Sequence, residues 1–436
     1  MSRTIESVAV IGCGTMGSGI AAASAAARCR VLMLDVDAEA VERGLGAVDE
    51  EHRHLVETGT IADDLDKIAA YDWICEAIVE DLEVKRDLFE RLEPLRKEGS
   101  VISSNTSGIP LRDISAGMSP RFRADVAITH FFNPVSVMKL FELVPGEDTD
   151  ADVVAAFSDF GADKLDKGVV HAKDTVNFIG NRIGCFLMLS GLHKAKSYLA
   201  EGMTQETVDA VLGKPIGLPP TGLYGLIDLI GLDVMYLVGK NLDVNLPDDD
   251  AGRAFTDFPQ VEQAMYDRGQ LGRKTGGGFS KMTKLDDGVR HKETFELISG
   301  VWRDTVDPDL EGVPTDLGEV MFTDSAQGRL AWDIFGGTLR YAADLVPEIA
   351  DDIVNIDNAI RWGFNWVKGP FEMLDAIGND RVITKIESEG SELPRMLRVL
   401  REARATSFYK GEGAAAEYLG VDGVFRPMPA ADETSR

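Results

Sequence analysis

Val8-Ala9-Val10-Ile11-Gly12-Cys13-Gly14-Thr15-Met16-Gly17-Ser18-Gly19 leads into the alanine-rich stretch Ile20 to Ala27, and Val31 to Leu34 then ends on Asp35. The short β-branched run predicts a buried parallel strand, the alanines a helix, and Val31 to Leu34 a second strand. Glycines caught between a strand and a helix, with an acid closing the next strand, form a dinucleotide-binding pattern rather than a plain glycine turn. Gly12 permits the tight turn, Gly14 lets backbone N–H groups approach a pyrophosphate at the helix N-terminus, and Gly17 lets helix and strand close. A carboxylate at Asp35 accepts hydrogen bonds from the adenosine ribose hydroxyls and repels a 2′-phosphate. The expected cofactor is therefore NAD rather than NADP.

Downstream, polar residues keep falling at strand ends, where open α/β sheets bind ligands. Asp72 to Glu80 predicts a buried strand that ends polar, and Leu82 to Leu95 a charged amphipathic helix. Val101 to Ser104 predicts a strand running into Asn105-Thr106-Ser107, and Val126 to Thr129 one ending on His130. Of the six histidines, His52 and His54 lie in a charged run and are expected to be solvated. His171, His193 and His291 have no acid-rich or glycine-rich context. His130 is followed by Phe131-Phe132-Asn133-Pro134, and Glu142 interrupts the apolar strand pattern Leu140 to Val144. A carboxylate there needs a partner. If Asn133 to Lys139 reverse the chain, Glu142 comes beside His130, orients its ring and raises its proton affinity. The spacing equally allows a core histidine and a solvated edge glutamate.

The glycine loop with Gly19, Glu76-Ala77-Ile78-Val79-Glu80 with Lys85, Ser104-Asn105-Thr106-Ser107, His130-Phe131-Phe132-Asn133-Pro134, and Asp174-Thr175 through Asn177-Phe178-Ile179-Gly180-Asn181-Arg182 together resemble the L-3-hydroxyacyl-CoA dehydrogenases. The resemblance runs from about residue 5 to about 425. It implies NAD-dependent oxidation of an L-3-hydroxyacyl-CoA to the 3-oxoacyl-CoA, the redox step of fatty-acid β-oxidation. It implies that His130 is the base for the 3-hydroxyl proton, that Glu142 pairs with it, and that Ser107 and Asn181 hydrogen-bond the substrate. It places cofactor contacts at Gly12, Gly14, Thr15, Met16, Gly17 and Asp35, then at Ala77, Glu80, Lys85, Asn105, Ser107 and Asn133.

After Asp174 the pattern turns helical, with apolar residues recurring every three to four from Phe178 to Leu199 and again from Thr204 to Leu212. Gly272-Arg273-Lys274-Thr275-Gly276-Gly277-Gly278-Phe279 resembles the closing motif of the family's helical domain, its glycines shaping a loop rather than cradling a phosphate. The chain then repeats itself. Arg182, Gly222, Asp228, Gly231 and Asp233 recur at one constant offset as Arg329, Gly369, Asp375, Gly378 and Asp380, with Gly328 standing where the first copy has Asn181. The expected fold is thus an α/β Rossmann-type domain followed by two all-α domains related by internal duplication. The expected domains are a nucleotide-binding domain over 1–174, a first helical domain over 175–285, an acidic linker over 286–326, a second, non-catalytic copy over 327–425 and a tail over 426–436. Ser299 to Gly328 carries seven acids and one base, which suits an exposed linker.

Several positions depart from the family pattern. Val176-Asn177 replaces the usual Pro-Gly before Phe178, which suggests a tilted start to the Asn181 helix. Arg28 stands where a helix-ending glycine is usual, and Ser107 is followed by Gly108 rather than a second serine. The helical tail that grips CoA in the family is short, over Ala38 to Gly59.

The chain has 436 residues and a formal charge of −28. That excludes a non-specific nucleic-acid binder, because no basic stripe is present to neutralise phosphates. No apolar run is long enough for a membrane span, and the polar N-terminus does not resemble a signal peptide. The four cysteines sit singly in apolar runs, as reduced thiols of a cytoplasmic protein do. Both expected ligands are anions, so the charge must be offset locally; Lys67, Lys139 and Lys85 are the candidates for CoA. The family resemblance implies a monomer or homodimer in which the second copy stands in for a partner. The chain leaves no room for the hydratase domain many relatives carry, so it resembles the dehydrogenase portion standing alone or cut out of a longer chain, and a separate enoyl-CoA hydratase is one partner the resemblance allows. The alternatives are a dehydrogenase of a 3-hydroxy acid without CoA, and a non-catalytic NAD-binding protein.

Overall fold

A computed structural model describes residues 3–284 and 290–429. They fall into two units. The first runs to Ile179 and includes Glu348–Asp351; the second holds Gly180–Pro347 and Asp352–Pro427.

The first unit opens with β1 (Ser7–Ile11), α1 (Thr15–Ala26), β2 (Arg30–Asp35), α2 (Ala38–Leu45) and β3 (Val56–Thr60). It continues with β4 (Trp73–Glu76), α3 (Leu82–Leu92), β5 (Val101–Ser104), α4 (Leu111–Ile114), α5 (Pro120–Asp125) and β6 (Val126–Phe131). It closes with β7 (Leu140–Pro145), α6 (Ala151–Asp159) and β8 (Gly168–His171). The eight strands form one sheet in the order β3-β2-β1-β4-β5-β6-β7-β8. The first six run parallel; β7 turns back antiparallel to β6, and β8 follows β7 in parallel. This is the predicted parallel, Rossmann-like sheet. Its order reverses between β1 and β4, which places the carboxyl ends of those strands at the topological switch point where ligands bind. Trp73, Phe131, Phe157 and Phe160 pack with ring centroids 5.3–6.5 Å from the indole. The indole N–H donates to Ser103 Oγ at 2.8 Å, so the one polar atom of that cluster is satisfied.

Some elements differ from expectation. The helix after the glycine loop starts at Thr15, not Ile20. The strand read over Asp72 to Glu80 keeps only Trp73–Glu76, because Ala77 to Asp81 turn away as a loop. The Ala38 to Gly59 tail is α-helical only to Leu45, takes a 3-10 turn over Glu50–Leu55, and ends in Val56–Thr60, which joins the sheet as its edge strand beside β2. Its alternating small and polar residues suit an edge that meets water on one side. His52 is buried at 7 % exposure rather than solvated.

The second unit begins with α7 (Gly180–Ala200), α8 (Gln205–Val211), α9 (Tyr224–Ile230), α10 (Leu232–Asn245) and α11 (Gln260–Asp267). A three-stranded antiparallel sheet follows, made by β9 (Ser280–Lys284), β10 (Arg290–Glu296) and β11 (Val301–Asp304). Helices return as α12 (Leu317–Val320), α13 (Ala326–Ala331), α14 (Gly337–Asp344), α15 (Ile353–Phe364), α16 (Pro370–Ile377), α17 (Asn379–Ser388) and α18 (Arg395–Glu402). A second three-stranded sheet closes the unit: β12 (Tyr409–Lys410), β13 (Glu417–Leu419) and β14 (Phe425–Pro427). The unit is therefore mainly helical but not all-α. The segment expected as an acidic linker over 286–326 carries strand pairing and helix turns; Arg303, the one base between Ser299 and Gly328, holds Glu206 of α8 through two bonds of 2.8 Å. The boundary expected at 285 and 286 lies outside the described residues.

The two stretches share their hydrogen bonding. Asp228 accepts from the Phe279 and Ser280 amides at 2.7 and 2.8 Å, and Asp375 from the Phe408 and Tyr409 amides at 2.7 and 2.9 Å. Asp209 caps the Tyr224 and Gly225 amides as Asp357 caps those of Phe371 and Glu372. Gly231 and Gly378 take the same left-handed backbone, with φ of 108° and 98°. Other positions diverge. Arg182 is buried against Asp250 at 2.5 Å, whereas Arg329 is exposed beside Asp324. At Gly328 a Cβ would lie 2.2 Å from Thr323 Oγ1, so no side chain fits where the first stretch has Asn181.

Candidate active site

The glycine loop is shaped by steric need. Gly12 has φ +102°, and a Cβ there would meet the Ala77 carbonyl oxygen at 2.4 Å. Gly17 packs so tightly on Gly12 that a Cβ would lie 1.8 Å from its carbonyl oxygen. Gly14 caps α1, and a Cβ on it would meet nothing within 4 Å. Its open face at the N-terminus of a twelve-residue helix fits a pyrophosphate held by N–H groups and the helix dipole, with no basic side chain required. Thr15 and Met16 form the first turn of that helix. At the end of β2, the Asp35 carboxylate accepts from the Cys13 and Val36 amides at 2.5 and 2.6 Å. That fixes the acid beside the loop, as a ribose-binding carboxylate needs to be.

His130 and Glu142 face each other because β6 and β7 are antiparallel with these two residues in register. His130 Nδ1 lies 2.6 Å from Glu142 Oε2, and both side chains are buried, at 6 % and 0 % exposure. The carboxylate holds the proton on Nδ1, which leaves the lone pair on Nε2 to accept a proton. The other carboxylate oxygen, Oε1, accepts from the Ile179 amide at 3.1 Å. Phe132 and Phe178 flank the imidazole at 4.6 and 5.7 Å between centroids. Of the two arrangements the spacing allowed, the pair is the one present.

Ser107 lies in the loop after β5, half-buried. Its amide donates to Glu80 Oε1 at 2.9 Å and its hydroxyl contacts the same oxygen at 3.3 Å. Lys85 is buried in α3 at 1 % side-chain exposure, 2.7 Å from Glu76 and 3.2 Å from Glu80. Asn105 is tied to β6 through its side-chain oxygen, which accepts from the Phe131 amide at 3.0 Å. Ala77 follows β4, its amide bonded to the Ile11 carbonyl at 2.8 Å. Asn133 is exposed at the start of the reversal loop. Asn181 is the second residue of α7, in the second unit. The residues leading to that helix, Asn177 and Phe178, adopt φ of 59° and 50°. This is where the chain departs from the usual Pro-Gly, and it accommodates the change in left-handed backbone.

Two of the three lysines proposed for CoA are otherwise engaged. Lys67 pairs with Glu57 and Asp64 at 2.7 and 3.0 Å, and Lys85 is the buried cation just described. Lys167 went unnoticed in the sequence. Its ammonium donates to the carbonyls of Val135 and, at 2.7 Å, Met138, pinning the loop that returns the chain from His130 to Glu142. Burial depresses its pKa below the ordinary lysine value. No local pattern marks it, because its partners are backbone carbonyls about thirty residues away.

Two family models match the chain: 3-hydroxyacyl-CoA dehydrogenase, NAD binding domain, over residues 7–175, and 3-hydroxyacyl-CoA dehydrogenase, C-terminal domain, over residues 178–282. A probable 3-hydroxyacyl-CoA dehydrogenase of Bacillus subtilis is 35 % identical over 96 % of this chain and 57 % of its own length. The chain thus spans little more than half of that relative. A probable 3-hydroxyacyl-CoA dehydrogenase of Deinococcus radiodurans is 37 % identical over 64 % of this chain and 84 % of its own length. The crystal structure of 3-hydroxybutyryl-CoA dehydrogenase from Escherichia coli K12 matches with a TM-score of 0.69 at 24 % identity, over 91 % of this chain and 98 % of that one, and so shares the fold.

Proposed function

Because the chain belongs to the 3-hydroxyacyl-CoA dehydrogenase family, with that family's NAD-binding domain at its N-terminus, we propose that it oxidises L-3-hydroxyacyl-CoA to 3-oxoacyl-CoA with NAD. The observation that carries the reading is the buried His130–Glu142 pair at 2.6 Å, at the carboxyl end of a strand of the same sheet whose β1 leads into a glycine loop fitted to a dinucleotide. His130 is the catalytic base: its Nε2 takes the 3-hydroxyl proton, and Glu142 stabilises the imidazolium that forms. NAD, when bound, accepts the hydride from C3 of the substrate. Ser107 and Asn181 hydrogen-bond the substrate, Asn133 holds the site around His130, and the glycine loop and Asp35 hold the cofactor. In the reductive direction, His130 returns its proton to the 3-oxygen.

The second unit is assigned as two copies of one helical domain, on the shared Asp228 and Asp375 bonding and the paired small sheets. The first copy carries Asn181; the second, with Gly328 in its place, is non-catalytic. On the family resemblance and the four buried free cysteines we assign the chain to the cytoplasm, as a monomer or homodimer, with a separate enoyl-CoA hydratase as a partner this assignment allows. No helix among the described residues is long and apolar enough to cross a membrane. Oxidation of NADH is measured with acetoacetyl-CoA and with free acetoacetate. Turnover of the thioester alone is expected, and equal rates on both would overturn the assignment in favour of a dehydrogenase of free 3-hydroxy acids.

A further inference from the structure

We propose that a cavity in the second unit binds a phosphate monoester that carries an aromatic ring, with Lys194 and Arg340 gripping the phosphate and Phe255 facing the ring.

The cavity has a volume of about 440 Å³ and is lined wholly by residues of the second unit. That size is ordinary for a small-molecule pocket. None of its residues is assigned to the substrate or to NAD. Three helices each bring a cation to it: Lys194 from α7, Arg340 from α14 and Arg398 from α18. The first two meet over Gly337, where a Cβ would lie 2.9 Å from the Lys194 ammonium and 3.9 Å from a guanidinium nitrogen of Arg340.

These cations are thinly partnered. The half-buried Lys194 ammonium donates to the Asp333 carbonyl at 2.7 Å and has no carboxylate within 4 Å among the described residues. Burial depresses its pKa, and the charge of Arg340 depresses it further, while Asp333 pulls the other way. Arg340 reaches one carboxylate, Glu389, at 3.5 Å. The exposed Arg398 guanidinium has no hydrogen-bond or ion-pair partner among the described residues. Two cations set against each other repel, and an anion between them replaces that repulsion with two attractions. A phosphate monoester carries close to two negative charges at neutral pH, more than one carboxylate offers, and its oxygens match the planar fork of an arginine.

The wall beside the cations is aromatic. Lys194 lies 5.5 Å from the centroid of the half-buried Phe255 ring, which packs edge-on against Phe186 at 5.8 Å. Phe186 in turn stacks on Tyr341 at 3.9 Å. A flat ring on the ligand gains apolar contact on such a wall. Asp344 and Glu392 also line the cavity, and Asp344 Oδ1 accepts from the Arg395 amide at 2.8 Å. Their charge disfavours a run of several phosphates and suits hydroxyl or amine donors on the ligand. A nucleoside monophosphate and the 3′-phosphate end of CoA share this chemistry.

The test is calorimetric titration of the full chain, saturated with NADH so that the dinucleotide site is filled, with AMP, CoA and dephospho-CoA. Lys194→Met and Arg340→Gln are each expected to weaken binding at this cavity by at least about 10-fold, the loss of one hydrogen bond to a charged group. If a free nucleotide is the occupant, AMP shows the variant-sensitive site. If CoA is, CoA shows it and dephospho-CoA does not. Binding of none of the three up to about 1 mM, or binding that both variants leave unchanged, would overturn the proposal. Thermal melts separate a structural role for the lysine. Lys194→Met removes one of two facing cations, so the melting temperature without added nucleotide is expected to hold or rise, and the rise caused by the bound probe is expected to disappear. A lower melting temperature with the probe's effect intact would assign Lys194 to holding the Asp333 carbonyl and overturn the site. Arg398→Gln, at an exposed position, gives the same reading of affinity if Lys194→Met does not fold.

Discussion

Replacing Glu142 by Gln keeps the shape of the His130 partner and removes its charge. The Nδ1–Oε2 separation of 2.6 Å puts the centres of the two charged groups about 4 Å apart. At an effective dielectric of about 20, the attraction between imidazolium and carboxylate is about 4 kcal/mol. That stabilisation belongs to the state in which His130 has taken the substrate proton, so most of its loss falls on the barrier. A barrier higher by about 3–4 kcal/mol lowers kcat by roughly 10²- to 10³-fold. The amide cannot rescue either orientation. With its NH₂ toward His130 it drives the imidazole proton to Nε2 and blocks the base; with its NH₂ toward Ile179 it sets two donors against each other where Glu142 now accepts at 3.1 Å. The assay is NADH oxidation with acetoacetyl-CoA across pH 6 to 9, alongside NADH affinity and thermal stability. Turnover within threefold of the unaltered chain at every pH, or a loss matched by lost NADH affinity, would refute the reasoning.

Three further outcomes concern stability. Glu262 in α11 is buried, and burial pushes its carboxyl up to about 7. The folded state therefore holds the proton more tightly than the unfolded one, so this stabilisation is full below the ordinary glutamate value and is lost as pH rises through about 7. Glu262→Gln is expected to stabilise on the order of 2 kcal/mol at pH 8 and little at pH 5, by melts at both; an equal change at both contradicts the titration. Arg28 ends α1 with φ 66°, a glycine conformation, so Arg28→Gly is expected to add about 0.5–1 kcal/mol in urea unfolding. A lower midpoint would show that the arginine side chain contributes more than its backbone costs. Tyr341→Phe removes the acceptor 2.6 Å from Arg182 Nε and the donor to Asp250 at 3.0 Å, and is expected to destabilise the second unit by about 1–3 kcal/mol, read as an earlier thermal transition.

The features legible in the sequence were those set by short-range geometry. The β1 loop and α1 follow from Gly12 and Gly17, where no side chain fits, and the His130–Glu142 pair follows from one reversal loop between two strands. Long-range partners left no such mark. The helix of Lys85 reads as a charged amphipathic segment, and nothing in its periodicity says that one lysine turns inward to meet two glutamates. Lys167 serves distant carbonyls. The strands of the second unit are short, polar and largely exposed, so they lack the apolar alternation that marks a strand against a core. Their order comes instead from pairing and from bonds such as those of Arg303 to Glu206. The repeat was visible in its anchors because Asp228 and Asp375 must cap the same backbone turn in both stretches.

The most direct test of the central claim is the rate of NADH oxidation with acetoacetyl-CoA by the unaltered chain and by His130→Gln. The account predicts turnover by the first, a loss of at least about 10²- to 10⁴-fold in the second, and equal NADH affinity in both. Equal rates for the two proteins would contradict His130 as the base, and no turnover by either would contradict the proposed activity itself.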